Sequence, residues 1–284
     1  MTDPVRRTMR LSGGGTLSYA VAGEPSRPAI LLVHGFPSSS RTFRNVLPAL
    51  GEVAFAIAPD MPGFGQSDVL PEPSFDAIAT AIAELLDELG VGRRYIYLHD
   101  FGAPPGLLLA MRQPDLVSGL VIQNANAHPT GLGPQWDATR AFWADPSEAN
   151  AAAATAHLTF EGTRDQYVAG VPESIASRIS PETWEEDWRV MQLPGRLATQ
   201  RALIADYGNH VDRFGAIARY FRQYRPPAML LWGRHDPFFA LAEVVSWLDA
   251  FPSMEAHILD AGHFLLETEA PRAARLISAF IAER

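Results

Sequence analysis

The sequence predicts an α/β protein in which a mostly parallel, doubly wound sheet carries a helical cap. Short, mostly apolar runs recur along the chain with helix-period segments between them, at residues 29–33, 53–57, 95–98, 120–122, 228–232 and 256–259. Apolar runs of this length are typical of strands buried on both faces, and their alternation with helices favours a parallel sheet. The stretch from about residue 127 to residue 215 breaks this rhythm, because it is helix-rich without a convincing strand.

The elements before the cap follow directly from periodicity. Polar and apolar residues alternate at 17–21, which predicts a half-buried strand ahead of the fully apolar run 29–33. Residues 75–89 predict an amphipathic helix, because Ile78, Ile82 and Leu85 fall on one stripe. Gly90 is suited to end that helix, since glycine is the residue most often found just past a helix C-terminus.

The domain organisation predicted from these patterns is a core interrupted by one insertion. We assign residues 1–126 and 216–284 to the core domain and residues 127–215 to the cap. The alanine-rich stretch 149–156 predicts a helix within the cap, because alanine has the highest helix propensity. A chain of 284 residues, 47% of them hydrophobic, is long enough to bury such a core as one domain.

Composition excludes several classes of function. The formal charge is −9, and the basic residues are all arginines without clustered runs, which argues against a nucleic-acid partner. No cysteine is present, so disulfides and thiolate metal sites are excluded. The first residues are polar, and no run approaches the roughly 18 apolar residues of a membrane span. We therefore expect a cytoplasmic protein that does not bind membranes.

Polar residues that directly follow the apolar runs are the candidates for chemistry, because active sites in open α/β sheets lie at the carboxyl ends of strands. Four segments of this kind occur, namely His34-Gly35-Phe36-Pro37, His99-Asp100-Phe101-Gly102, the turn containing Asp236, and the turn containing His263. Taken alone, Asp100 could cap a helix, Asp236 could open a turn with Pro237, and His263 could be a core histidine. Their chain order, nucleophile then acid then histidine, favours a catalytic set.

The motifs themselves resemble the epoxide hydrolase and haloalkane dehalogenase branch of the α/β-hydrolase superfamily. The resemblance rests on the segments 34–37, 60–67 and 99–102, and it covers most of the chain, strongly in the core segments and weakly in the cap. It implies an α/β-hydrolase fold with Asp100 as nucleophile, His263 as base and Asp236 as the residue that orients the base. One departure is Leu98, which stands where the branch usually has glycine two residues before the nucleophile.

A carboxylate nucleophile decides the class of reaction. A serine needs histidine to remove its proton and attacks acyl carbon, whereas an aspartate is already ionised at neutral pH. An aspartate suits displacement at saturated carbon, giving an alkyl ester that His263-activated water then hydrolyses. The resemblance assigns the oxyanion hole of that second step to the backbone N–H groups of Phe36 and Phe101.

The leaving group separates the two nearest activities. An epoxide oxygen needs a proton donor, and the resemblance implies cap tyrosines, for which Tyr207 and Tyr167 are the candidates. A halide needs donors such as tryptophan, and the residue after the nucleophile, usually Trp in haloalkane dehalogenases, is Phe101 here. Substrate contacts are predicted for aromatic residues and one histidine at the expected pocket, namely His34, Trp136, Phe142, Trp143 and Phe238.

The leading hypothesis is an epoxide hydrolase that converts an apolar epoxide to a vicinal diol. The alternatives are a dehalogenase with the same nucleophile and, from another class, a non-catalytic small-molecule binding protein. A serine esterase is disfavoured, because no serine occupies position 100. The partners expected are a small apolar substrate and water, with no cofactor or metal, since neither a dinucleotide fingerprint nor metal-ligand spacing occurs. The sequence leaves room for a homodimer.

Overall fold

An eight-stranded sheet forms the centre of the computed structural model, which describes residues 3–283. The strands are β1 (Val5–Arg10), β2 (Thr16–Ala22), β3 (Ala29–Val33), β4 (Phe55–Pro59), β5 (Arg94–His99), β6 (Val117–Gln123), β7 (Ala228–Gly233) and β8 (Glu255–Leu259). Their order across the sheet is β1-β2-β4-β3-β5-β6-β7-β8. Pairing is antiparallel at β1-β2 and β2-β4 and parallel from β4 to β8, so the predicted fold class is confirmed.

Helices connect the strands and cover both faces of the sheet. They are α1 (Leu47–Leu50), α2 (Phe75–Glu88), α3 (Ala103–Arg112), α4 (Asp137–Ala144), α5 (Glu148–Ala154), α6 (Phe160–Val168), α7 (Glu173–Ala176), α8 (Glu182–Met191), α9 (Arg196–Asp212), α10 (Phe214–Tyr224), α11 (Ala242–Ala250) and α12 (Leu266–Ala282). None of the helices in the described part of the chain has the length and apolarity needed to cross a membrane.

The central strands are buried on both faces, as their continuous apolar runs predict. In β3, Leu31 and Val33 pack into one core cluster, while Ile30 and Leu32 pack into the cluster on the opposite face. Alternate side chains of a strand point to opposite faces, so a strand covered by helices on both sides must be apolar throughout.

The segment between β6 and β7 contains helices α4 to α10 and no strand. The predicted end of the cap at residue 215 falls inside α10, which begins at Phe214. Phe221 of that helix packs against Trp247 of α11, with the ring centroids 5.5 Å apart. Because α11 connects two strands of the sheet, α10 packs against the core.

Candidate active site

Asp100 lies at the sharp turn between β5 and α3. Its backbone adopts a left-handed conformation with φ of 48°, and a short 3-10 turn, Asp100–Gly102, leads directly into the helix. A residue other than glycine is strained in this conformation, and such strain is found where a turn must expose a functional side chain. The turn presents the Asp100 carboxyl group at the carboxyl end of the central strand β5.

Leu98 stands two residues before Asp100, where the branch usually has glycine. The facing helix α3 provides the space that the larger side chain needs. A Cβ atom added to Gly106 of α3 would lie 2.3 Å from Cδ2 of Leu98, so the Leu98 side chain occupies space that Gly106 leaves empty. Gly102 is equally constrained, because an added Cβ would lie 2.3 Å from the carbonyl oxygen of Val33. The strand and the helix therefore approach closely even though position 98 carries a large side chain.

The predicted triad residues come together at this turn. Nε2 of His263 lies 3.8 Å from Oδ2 of Asp100, and Nδ1 of His263 lies 2.9 Å from Oδ2 of Asp236. The second Asp236 oxygen, Oδ1, accepts hydrogen bonds from the backbone N–H groups of Phe238 at 2.7 Å and Phe239 at 3.3 Å. Asp236 is thus fixed by its own turn, and it orients the imidazole with Nε2 facing the Asp100 carboxyl group.

Asn124 supports the acid, a role that the sequence did not indicate. Its side-chain amide donates to Oδ2 of Asp236 at 2.7 Å, and its Oδ1 accepts from the backbone N–H of Gly233 at 2.9 Å. Its backbone carbonyl accepts from the N–H of Asp100 at 3.2 Å. Asn124 therefore connects the nucleophile turn with the Asp236 turn.

The two amides predicted for the oxyanion hole face the Asp100 carboxyl group. The backbone N–H of Phe36 donates to Oδ1 of Asp100 at 2.7 Å, and the N–H of Phe101 also hydrogen bonds to this carboxylate. Gly35 allows the approach, because a Cβ there would lie 2.4 Å from Cβ of Asp100. Oδ1 is held by the Phe36 amide, and Oδ2 is the oxygen nearer His263.

Burial and the interactions between their charges shift the pKa values of Asp100 and His263. Burial raises the pKa of Asp100, while the His263 charge and the amides of Phe101 and Phe36 oppose that rise. For His263, burial acts to lower the pKa, but attraction and hydrogen bonding to Asp236, together with the Asp100 charge, raise it above its ordinary value. An ionised Asp100 in the free protein therefore favours a protonated His263.

His99 lies beside the base, with its ring centroid 4.8 Å from that of His263. Neither of its ring nitrogens has a hydrogen-bond partner among residues 3–283. Burial and the neighbouring histidines His263 and His34 hold the pKa of His99 well below its ordinary value, so its imidazole stays neutral. A neutral ring can pack against His263 without repelling the imidazolium that forms there.

A cavity of about 250 Å³ opens above the Asp100 carboxyl group, between the core and the cap. Aromatic side chains form much of its wall, and its polar lining includes Tyr207, His157, Gln166, Gln135 and Thr139. Of the residues predicted to contact substrate, Trp136 and Phe238 line this cavity.

Tyr207 of α9 is fully buried, and its hydroxyl has no hydrogen-bond partner in the described part of the chain. Its ring is packed by Trp136 at 4.8 Å and by Trp143 at 6.0 Å, which fixes its direction. Burial and the Asp100 charge raise its pKa well above the ordinary value, so the hydroxyl keeps its proton. An unsatisfied buried donor is costly, and because Tyr207 also lines the cavity, its hydroxyl is a candidate to bind a ligand atom there.

Three predicted contacts lie away from the cavity. His34 is fully buried, and its ring contacts the carbonyl of Gly35 and accepts a hydrogen bond from the N–H of Met61, so it fixes two loops. Phe142 and Trp143 line a separate surface groove, and Trp143 donates its indole N–H to the carbonyl of Ile204 at 2.9 Å. These three residues have supporting roles and do not contact the cavity, because packing and backbone hydrogen bonds already occupy their side chains.

Tyr167 is also placed elsewhere. Its hydroxyl donates to the carboxylate of Asp187, and its ring stacks on Phe264 with the centroids 4.1 Å apart. The neighbouring residue, Gln166, lines the cavity instead. Because successive residues of a helix point about 100° apart, the cap helix α6 can present only one of the two.

The cap residue that the sequence reasoning missed is His157. It lines the cavity with Tyr207 and lies edge-on to Phe36 with the centroids 5.6 Å apart. Burial lowers its pKa, which favours the neutral ring. The sequence does contain a signal, a histidine directly after the alanine-rich stretch 149–156, but the resemblance implied only tyrosines as donors.

The buried Asp187 predicts a pH-dependent stability. Burial raises its pKa to about 7, so the folded protein binds this proton more tightly than the unfolded chain does. The stabilisation is complete below about pH 4 and is lost as the pH rises to about 7. Asp187→Asn should therefore exceed the wild type in free energy of unfolding by about 1–3 kcal/mol at pH 8 and match it near pH 4.

Urea unfolding across that pH range measures this difference. The exposed Asp249 of α11, which forms no ion pair with the described residues, supplies the control, because Asp249→Asn should leave the pH dependence of stability as in the wild type. An offset for Asp187→Asn that is the same at every pH would contradict the assignment.

Comparison with known proteins decides the family. The family model for the alpha/beta hydrolase fold matches residues 28–270. The chain belongs to the α/β-hydrolase fold family. It is 32% identical to an uncharacterized hydrolase of Saccharomyces cerevisiae, YNR064C, over 97% of this chain and 96% of that protein.

A further relative points to the branch, and a solved structure shows the same fold. Haloalkane dehalogenase 2 of Mycobacterium tuberculosis is 28% identical over 94% of this chain and 91% of its own. The solved structure of epoxide hydrolase CorEH superposes with a TM-score of 0.79 at 23% identity, covering 99% of both chains. The resemblance of this α/β-hydrolase to the epoxide hydrolase and haloalkane dehalogenase branch is thus confirmed, and hydrolase activity is supported.

Proposed function

We propose that this α/β-hydrolase is an epoxide hydrolase that opens a small apolar epoxide to a vicinal diol through an ester on Asp100. The observation that carries the proposal is that Tyr207 lines the same cavity as Asp100 and has a hydroxyl that is buried, protonated and without a hydrogen-bond partner among the described residues. An epoxide requires this combination, a nucleophile for carbon and a proton donor for oxygen.

In the first step, Oδ2 of Asp100 attacks one epoxide carbon and the C–O bond of the ring breaks. The electrons of that bond pass to the epoxide oxygen, which takes the Tyr207 proton or hydrogen bonds to it as an alkoxide. His157 lines the same cavity, but its neutral ring has a single N–H, which hydrogen bonds to the backbone of Ala154, so Tyr207 is the donor assigned to this oxygen. Donors that meet charge developing only in the transition state raise the rate selectively.

In the second step, water attacks the carbonyl carbon of the ester. Nε2 of His263 accepts a proton from the water, while the negative charge develops on Oδ1, which faces the N–H groups of Phe36 and Phe101. Collapse of the tetrahedral intermediate breaks the bond between this carbon and the diol oxygen and regenerates the Asp100 carboxylate. The imidazolium formed is stabilised by Asp236, 2.9 Å from Nδ1.

The dehalogenase alternative uses the same nucleophile but needs N–H donors for a halide. Trp136 lines the cavity, yet its indole N–H donates to the carbonyl of Phe238 at 2.8 Å and is therefore occupied. The residue after the nucleophile is Phe101, which has no side-chain donor. These two observations favour the epoxide, whereas the full-length similarity to haloalkane dehalogenase 2 keeps the halide reaction as the competing candidate.

Purified protein should be assayed on styrene oxide and on a panel of 1-haloalkanes, with diol and halide measured separately. We expect diol formation above background and little halide release. Halide release without diol formation would replace the proposal by the dehalogenase. Turnover of neither substrate class would favour the binding-protein hypothesis.

Replacing Tyr207 by phenylalanine tests the donor. We expect kcat on an epoxide to fall about 100-fold, because the hydrogen-bond donor to the departing oxygen is lost. The Tm should not decrease, since the lost hydroxyl makes no hydrogen bond with the described residues.

Tyr220→Phe is the matched control. Tyr220 is also buried with an unpartnered hydroxyl among the described residues, but it does not line the cavity. Its replacement should leave kcat unchanged. Wild-type kcat in Tyr207→Phe would exclude Tyr207 as the proton donor.

A further inference from the structure

A second and larger cavity, of about 640 Å³, shares no lining residue with the cavity above Asp100. Its wall combines the segment after β3, the loop that contains Asp60, helix α8 and the start of α9. Eight of the lining residues are charged, namely Arg6, Arg41, Arg44, Arg189, Arg196, Asp60, Glu186 and Asp187.

Three of the lining arginines are already neutralised. Arg6 pairs with Asp60 at 2.7 Å. Arg44 forms a two-pronged pair with Glu267, with bonds of 2.8 and 2.5 Å, and Arg189 forms one with Glu186, with both bonds at 2.7 Å. Arg41 and Arg196 are the lining arginines that remain without an ion pair among residues 3–283.

Arg196 is the less expected of the two, because its side chain is buried. The residue is 7% exposed, and its Nη1 has no hydrogen-bond partner in the part of the chain that the structure describes. Burial lowers its pKa, against the attraction of Asp68 and Asp60. Burying a guanidinium without a direct partner is costly, so a partner is expected at this place.

The nearest acids are engaged elsewhere. Asp60 accepts hydrogen bonds from Arg6, from the N–H of Ser40 at 2.9 Å and from the N–H of Gln66 at 2.9 Å. Asp187, which also lines the cavity, accepts the Tyr167 hydroxyl, and burial raises its pKa to about 7. Asp68, which attracts Arg196 most strongly, accepts a hydrogen bond from the N–H of Thr16 at 2.8 Å. None of these three carboxylates hydrogen bonds to Arg196.

Helix α9 adds to the positive potential. Arg196 is the first residue of this helix, and Gly195 before it provides no side-chain cap. The first turn of the helix contains no acidic residue. A helix N-terminus carries a partial positive charge that favours anions. Arg41 has one long hydrogen bond, 3.4 Å to the carbonyl of Thr183, so its guanidinium retains free donors.

We propose that this cavity binds the oxyanion group, carboxylate or phosphate, of a small organic acid between Arg41 and Arg196. The cavity is larger than the ion alone, so it has room for the organic part of the acid. This part would contact the apolar residues of the same wall, Leu47, Val190 and Leu193. This site is separate from the reaction at Asp100.

Isothermal titration with inorganic phosphate and with acetate, in chloride buffer of matched ionic strength, tests the site. We expect saturable binding of one ion per chain, and the tighter of the two identifies the oxyanion class. Arg196→Met and Arg41→Met should each weaken binding at least about tenfold, because charge-assisted hydrogen bonds are lost. Arg222→Met, an exposed arginine of α10 outside this cavity, should bind like the wild type.

The outcome that overturns the proposal is the absence of saturable binding of either ion, or binding that both variants retain. Without added anion, Arg196→Met should unfold at a Tm equal to or above that of the wild type, because an uncompensated buried charge is removed. If Arg196→Met does not fold, Arg196 has a structural role and Arg41→Met decides whether the ion binds here.

Discussion

Asp100→Ala is expected to abolish epoxide turnover, with a loss of kcat of at least about 10⁴-fold. The reason is that no other nucleophile occupies the turn, and removing the attacking group of a covalent mechanism leaves only binding and the oxyanion hole. Steady-state diol formation measures the effect, with the Tm recorded to show that the variant is folded. Alanine is preferred to asparagine, because asparagine can deamidate in such a site and restore activity.

Asp249→Ala, an exposed carboxylate of α11, is the matched control and should keep wild-type activity. Activity of Asp100→Ala near the wild-type level would exclude the carboxylate nucleophile. Activity on p-nitrophenyl esters that survived the substitution would instead revive a serine esterase.

His263→Gln is expected to separate the two steps. Attack by Asp100 needs no base, whereas hydrolysis of the ester does, so the covalent intermediate should accumulate while turnover falls about 10³-fold or more. Intact-mass spectrometry should show one adduct per chain. An epoxide adds its whole mass on ring opening, whereas a haloalkane adds only its alkyl group, so the same spectrum distinguishes the two reactions.

The loss of wild-type activity at low pH is expected to come from protonation of the same residue, His263. In the free protein Asp236 and Asp100 hold the pKa of His263 above its ordinary value against the effect of burial. The base is needed only in the ester intermediate, so kcat should decline as the pH falls through the pKa that His263 has there. Esterification removes the Asp100 charge, which should lower the pKa of His263 in the intermediate and favour the neutral base. Turnover by His263→Gln at the wild-type rate would contradict this role.

The parts of the fold that the sequence predicts are those that depend on burial. The fully apolar runs 29–33 and 228–232 correspond to β3 and β7, because strands covered on both faces admit few polar residues. Asp100, Asp236 and His263 were located by the same logic, since parallel strands end at one edge of the sheet.

The cap was less predictable, because helix orientation there depends on tertiary packing. Gln166 and Tyr167 are adjacent residues of α6, yet Gln166 lines the cavity whereas Tyr167 hydrogen bonds to Asp187. His157 and Asn124 were missed for a related reason: their roles arise from contacts with residues distant in sequence, such as Phe36 and Asp236. Likewise, the space that Gly106 provides for Leu98 is visible only once the helix lies on the strand.

Single-turnover reaction in ¹⁸O-labelled water tests the covalent mechanism most directly. Trypsin cleaves after Arg94 and Arg112, so Asp100 is recovered in the peptide of residues 95–112. Water that attacks the ester carbonyl leaves its oxygen in the Asp100 carboxyl group, so we predict one ¹⁸O atom in this peptide and none in the first diol released. Label in the diol with an unlabelled peptide would show that water attacks the substrate directly, and it would contradict the ester.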